Sequence, residues 1–260
     1  MKATRTLAAA TAGAVLLAAG AAAGSAAPVL GASRTHGAGA AHDVALIAAH
    51  SHGIYNIQSS SNWSGYAEKG TGFTSVTGTW KIPTSKSTTG SKYSSQWIGI
   101  DGDGNQHLIQ TGTEVDENNG SPIYRVWWEI LPAAETLINE PVAPGETMKA
   151  SIVKLSTGSW KITISNGSWT FTTTKSYSGP GTSVEWIVEA PFNGSVLPLD
   201  DTSRVTFTGT AVNGNNPSFV YSTDAIKMVQ NGKTVESPSQ PSAAGNSFTM
   251  AYGAKTPTAP

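Results

Sequence analysis

The chain contains no cysteine among its 260 residues. That excludes a thiol nucleophile, a thiolate-held metal and any disulfide. Exported proteins usually find disulfides available, so the stability of this fold must come from burial alone. Histidine is scarce where chemistry would need it. His36, His42, His50 and His52 all precede residue 53, and only His107 follows. A zinc site built from several histidines is therefore excluded from the later region. A Ser-His-Asp triad would have to use His107, and no Gly-x-Ser-x-Gly elbow lies beside it. Charged residues make up only 13% of the chain, against about 25% in an average globular protein. Ser, Thr, Gly and Asn supply the polar surface instead. A chain with few carboxylates of lowered pKa loses less stability in acid, a property shared by ordinary secreted β-proteins. A net charge of −1 argues against nucleic acid as a partner.

The N-terminus reads as a secretory signal over residues 1–27. Lys2 and Arg5 precede an Ala-rich apolar run centred on Ala14-Val15-Leu16-Leu17, and small residues through Ala27 offer a cleavage site before Pro28. A transmembrane anchor is the alternative, but no basic stop-transfer cluster follows. No later segment is long and apolar enough to span a bilayer, so the expectation is a secreted, extracellular protein with no membrane contact once the signal is removed. Residues 28–58, rich in Ala, Gly and His, read as a propeptide or disordered spacer. Asp43 is the only acidic residue in the first 58, so below about pH 6.5 this segment becomes cationic. Masking of the site near neutrality and release in acid, with a cut between about His52 and Ser61, is the expectation; an inert spacer is the alternative.

Residues 59–260 read as one all-β domain. Strands are expected over 74–82, 94–100, 106–115, 123–131, 147–155, 160–164, 169–174, 184–190, 204–212, 219–228 and 247–252. Asn166-Gly167 joins two of them as a hairpin. No stretch shows a helical period. The fold class is an antiparallel two-sheet β-sandwich.

Five segments carry the functional signal: Ser61-Asn62-Trp63-Ser64-Gly65-Tyr66, Trp97-Ile98-Gly99-Ile100-Asp101-Gly102, Leu108-Ile109-Gln110-Thr111-Gly112, Tyr124-Arg125-Val126-Trp127-Trp128-Glu129-Ile130-Leu131-Pro132 and Glu185-Trp186-Ile187-Val188-Glu189. Side chains alternate across a strand. Glu185, Ile187 and Glu189 therefore share a face, as do Gln106, Leu108 and Gln110, and as do Arg125, Trp127, Glu129 and Leu131. Glu189 lies among apolar neighbours, where a carboxylate is costly without a purpose or partner. Trp97 and Trp127 suit either subsite walls or core packing. Glu129 suits substrate contact or structural hydrogen bonding, Glu185 a second acid or a structural role, and Asp101 a turn-holding bond or a contact near the site. Asp101-x-Asp103-x-Asn105 resembles the start of an EF-hand loop, but the positions that need Gly and Glu hold Gln106 and Gly112, so no metal is expected.

In this order and spacing, over roughly residues 60–253, the five segments resemble the glutamic peptidases, the eqolisin family. The resemblance implies a lectin-like, concanavalin A type sandwich and a secreted, acid-acting endopeptidase with no cofactor. Its partners would be protein or peptide substrates, and it would act as a monomer. It implies that Glu189 is the general base and returns its proton to the leaving amine, while Gln110 positions water and stabilises the oxyanion. It places Trp97, Asp101, Trp127 and Glu129 around the substrate. Arg125 stands where fungal members carry an acidic residue, and Leu131 where an aromatic is common. Fungal members also carry disulfides, so the absence of cysteine points to a bacterial branch. Two rival functions use the same residues. A lectin-like glycoside hydrolase could employ Glu129 with Glu189, or Glu185 with Glu189 at i and i+4. A carbohydrate-binding module would use the tryptophans. Neither requires Gln110 in its motif.

Overall fold

The structure is a computed structural model that describes residues 57–260. The signal segment and nearly all of the expected propeptide, including its four histidines, lie outside the described residues. The elements are β1 (Gln58–Ser60), β2 (Trp63–Lys69), β3 (Ser75–Lys81), β4 (Ser91–Ile100), β5 (Ile109–Asn118), β6 (Ile123–Ile130), β7 (Thr136–Ile138), β8 (Thr147–Ser156), β9 (Ser159–Ser165), β10 (Thr170–Ser176), β11 (Ser183–Glu189), β12 (Val205–Val212), α1 (Tyr221–Asp224), β13 (Ala225–Gln230), β14 (Lys233–Pro238) and β15 (Phe248–Tyr252).

One hydrogen-bonded path, β10-β9-β8-β3-β12-β15-β14-β13-β2-β11-β4-β5-β6-β7, folds over on itself into a sandwich. The turning point is β12. Its first half pairs with β15 and its second with β3, and the register slips between Thr208 and Ala211. A bulge bends a strand in just this way, and Gly209, at φ 57°, takes up the bend. All pairings on the path are antiparallel; β1 adds to β13 in parallel.

The back layer, β10-β9-β8-β3, shows the alternation of a sheet with one wet face. In β9, Trp160, Ile162 and Ile164 are buried between half-exposed neighbours. The front strands β4, β5 and β11 instead carry runs buried on both faces. Their inner face meets the back layer in the main core, where Ile98, Ile109, Val126 and Trp186 pack with Trp80 and Ile152. Two indole N–H groups cross that core, Trp80 to Thr113 Oγ1 (2.9 Å) and Trp186 to the Thr77 carbonyl (2.7 Å). The outer face of β2, β11, β4, β5 and β6 carries a separate cluster of Trp63, Trp97, Leu108, Trp127 and Ile187.

The sandwich expectation holds, with local corrections. The strand expected from Gln106 begins only at Ile109, so Gln106 is an exposed loop residue. The strand expected over 219–228 opens instead as the single helical turn Tyr221–Asp224. There Asp224 Oδ2 accepts from the Val220 N–H at 2.7 Å. Short polar side chains that bond to the local backbone favour turns over ladders.

Candidate active site

The site is laid out by the pairing of β11, β4, β5 and β6 on their outer face. Glu185 stands opposite Gly99, Gly99 opposite Gln110, and Gln110 opposite Glu129. The next row along that face is Ile187, Trp97, Gly112 and Trp127, and the one after it Glu189, Ser95, Glu114 and Arg125. The neighbours that parity alone could not establish are thus brought together on one face. Gln110 and Glu189 lie diagonally across β4, with Trp97 in the row between them.

The glycines of the motifs belong to this geometry. A Cβ on Gly112 would lie 2.3 Å from the Gln96 carbonyl oxygen and 2.6 Å from the Trp97 Cβ. A Cβ on Gly99 would lie 2.8 Å from Trp97 Cζ3 and 2.9 Å from Leu108 Cδ1. Gly112 therefore clears room for Trp97 on the facing strand, while Gly99 clears room for the Trp97 ring of its own strand and for Leu108. The Trp97 ring extends over Gly99 and meets Trp63 edge-on, with centroids 4.9 Å apart.

The polar atoms are oriented from several elements. The Trp97 Nε1–H donates to Glu189 Oε2 at 2.7 Å, and Asn62 Nδ2 donates to Glu189 Oε1 at 3.2 Å. Gln110 Nε2 donates to Glu129 Oε2 at 2.6 Å. Gln110, Glu129, Glu189, Trp97 and Trp127 are all buried, and both indoles pack in the outer-face cluster. The face reaches the surface at both ends of β6, where Arg125 and Leu131 are partly exposed. Arg125 pairs with Glu114 (3.2 Å) and, more closely, with Asp116.

Asp101 sits at the end of β4 with φ 68°. Its carboxylate accepts from Tyr177 Oη (2.7 Å), from the N–H groups of Gly181 (3.0 Å) and Thr182 (2.9 Å), and from Asn105 Nδ2 (3.2 Å). This is the turn-holding role, tying the loop before β11 to β4. Asp103 pairs with Lys69 at 3.1 Å. In the Asp101-x-Asp103-x-Asn105 segment one side chain is thus a donor to another, and a cation already faces the third.

Glu185 is wholly buried on the site face. Burial, and then the nearby Asp103 and Asp101, push its carboxyl well above the usual range; the Ser183 hydroxyl and the Asp103 N–H oppose this. Neither donor lies in regular hydrogen-bond geometry with it. On β11 the row of Ile187 separates it from Glu189. Asn62 was missed as a site residue, although it lies inside the quoted Ser61–Tyr66 segment. An amide next to a motif tryptophan was the available signal.

Comparison with known proteins bears on the family and the fold. The family model described as the Peptidase A4 family matches residues 61–252. Aspergillopepsin-2 from Aspergillus niger is 28% identical over 229 residues, covering 77% of this chain and 80% of that protein. Among solved structures, scytalido-glutamic peptidase with a transition state analog inhibitor superposes with a TM-score of 0.64 at 24% identity, covering 74% of this chain and 98% of that one. Aspergilloglutamic peptidase from Aspergillus niger gives 0.52 at 26% identity, covering 62% and 99%. The glycoside hydrolase and carbohydrate-module alternatives give way to this match. Its span takes in every strand from β2 to β15 together with the glutamine, carboxylates and indoles of the outer face, and the chain belongs to the Peptidase A4 family, the glutamic endopeptidases.

Proposed function

We propose that this peptidase is exported, works on the acid side of neutrality as a monomer, and cuts peptide bonds with Gln110 and Glu189. Peptide hydrolysis without a covalent intermediate needs a base for the attacking water and a donor for the oxyanion. The observation that carries the reading is the way each group is held. Glu189 accepts from two N–H donors, Trp97 and Asn62, and such donors favour the ionised form of a carboxylate over the acid. Gln110 is turned by its bond to Glu129. A primary amide has two N–H bonds and an acceptor oxygen. With one N–H given to Glu129, the other can meet the oxyanion while the oxygen orients the water. Glu189 takes the proton of that water and delivers it to the leaving amine, so the pair ends the cycle as it began. Glu129 acts as the orienter of Gln110. Trp97, between them, sets the direction of the base.

Export rests on the N-terminal signal pattern. Among the described residues no helix is long and apolar enough to cross a membrane. The parallel pairing of β1 with β13 starts at Gln58, so a maturation cut that spares the sheet falls before that residue.

The deciding experiment compares Gln110→Ala and Glu189→Gln with the wild type on denatured protein and on a short peptide at acid pH. Loss of the oxyanion donor should lower kcat by about 10²–10³ and loss of the base by about 10²–10⁴. Circular dichroism and Tm should show both variants folded. Chelators, thiol reagents and serine-directed acylators should leave the wild type active. Substantial turnover by Glu189→Gln would end the dyad reading.

A further inference from the structure

The row that contains Glu189 continues through Ser95 and Glu114 to Arg125. Ser95 is small, and its hydroxyl is turned to the Thr113 carbonyl at 3.0 Å. Glu114 is therefore the next ionisable side chain from Glu189 along the row, two strand spacings away, or about 10 Å. Glu114 is almost wholly buried, yet one guanidinium nitrogen of Arg125 donates both to it and to Asp116. Arg125 itself is 24% exposed, at the end of the face that reaches solvent.

The other charged or titratable groups around Glu189 can be named from each neighbouring strand. They are Glu185 on its own strand, Tyr93 on β4, Asp116 on β5, and Glu129 with Arg125 on β6. On β2, Trp63 faces Glu189, and Lys69 lies at the far end, paired with Asp103. Glu236 on β14 lies near Asp201 and Lys86 instead. Among these described residues carboxyls outnumber cations, and Arg125 is the cation of the row that holds Glu189. Without Arg125, Glu114 and Asp116 would be two like charges beside a third.

We propose that Arg125, acting through Glu114 and Asp116, is a positioning residue that keeps Glu189 in its proton-accepting form in acid. The inference rests on Glu189 being the base. Its physical content is simple. The guanidinium offsets the negative potential of the two β5 carboxylates at Glu189, so protonation of the base is deferred to lower pH. A unit charge about 10–15 Å away, at an effective dielectric of about 20, moves a titration by about one pH unit.

The test is the acid limb of kcat/KM against pH, which reports the free enzyme's base, measured on an uncharged short peptide. Arg125→Gln should shift that limb upward by about half to one unit. Arg125→Lys should leave it in place, because the charge is kept. Glu114→Gln, which removes a negative charge and barely alters volume, should shift it downward by about one unit. The double variant should fall back near the wild type. A purely structural role for Arg125 would lower activity or Tm without moving the limb in opposite directions. If Arg125→Gln does not fold, the downward shift in Glu114→Gln decides alone. Limbs that stay with the wild type in the folded variants overturn the inference. Glu189→Gln is run alongside: turnover there would refute the base assignment itself, whereas its loss with unmoved limbs refutes only the role of Arg125.

Discussion

Trp97→Phe isolates the hydrogen bond that aims the proposed base. The substitution keeps an aromatic ring in the cluster with Trp63 and Leu108 but removes the N–H that reaches Glu189 Oε2 at 2.7 Å. Asn62 Nδ2, at the longer 3.2 Å, remains on the other oxygen. A hydrogen bond to a charged group contributes about 1.5–3 kcal/mol. If most of that favours the ionised over the protonated carboxylate, its loss raises the titration of Glu189 by about one to two pH units, at 1.36 kcal/mol per unit. The acid limb of kcat/KM should move up by that amount, and activity on the plateau should fall far less than in Glu189→Gln. The smaller ring also leaves a void, and truncation of this kind costs stability on the order of 1–3 kcal/mol, so rates must be taken well below the variant's Tm. Trp186→Phe serves as the control. Its N–H donates to the Thr77 carbonyl within the main core, so it should lower Tm and leave the limb alone. The assay is initial rate on a fluorogenic peptide from about pH 2 to 7. A Trp97→Phe limb that coincides with the wild type, with activity retained, would refute the idea that this indole holds the base ionised.

Two further outcomes follow from the structure and from the sequence. Glu185 and Glu236 are buried carboxyls raised well above the usual range, in both cases mainly by burial. A group whose folded pKa exceeds its unfolded value contributes stability that is complete below the unfolded pKa and lost as pH rises through the folded one. Tm should therefore fall from acid toward neutral and alkaline pH, and the Glu185→Gln/Glu236→Gln double variant should show a flatter profile; equal slopes would refute this. For maturation, residues 28–260 should convert on acidification with cleavage before Gln58, as read by mass spectrometry. Replacing His36, His42, His50 and His52 by Gln should shift the pH of conversion, and an unchanged pH dependence would remove the histidine switch.

What the sequence by itself determined is local. Alternation over Ser159–Ser165, the Asn166-Gly167 turn and the Trp/Gly motifs announced an all-β chain, because strand burial and turn conformation depend on near neighbours. The five ordered segments were enough to indicate the peptidase family. Even some local signals went unread: Asn231-Gly232, with φ of 51° and 72°, is the turn that makes the β13–β14 hairpin, yet β14 was not anticipated. Tertiary structure alone decided which side chains meet. The indole of Trp97 reaches Glu189 across 92 residues of sequence. Asp101 is filled by donors from Tyr177, Gly181 and Thr182, 76 to 81 residues away in sequence. Arg125, read only as a departure from the family pattern, binds Glu114 and Asp116 because β5 and β6 pair in one particular register. A slip of one residue in any of these pairings would turn every such side chain to the opposite face. Each strand's sequence therefore carries its own pattern, but the choice of neighbour and register is made by the core and the turns together.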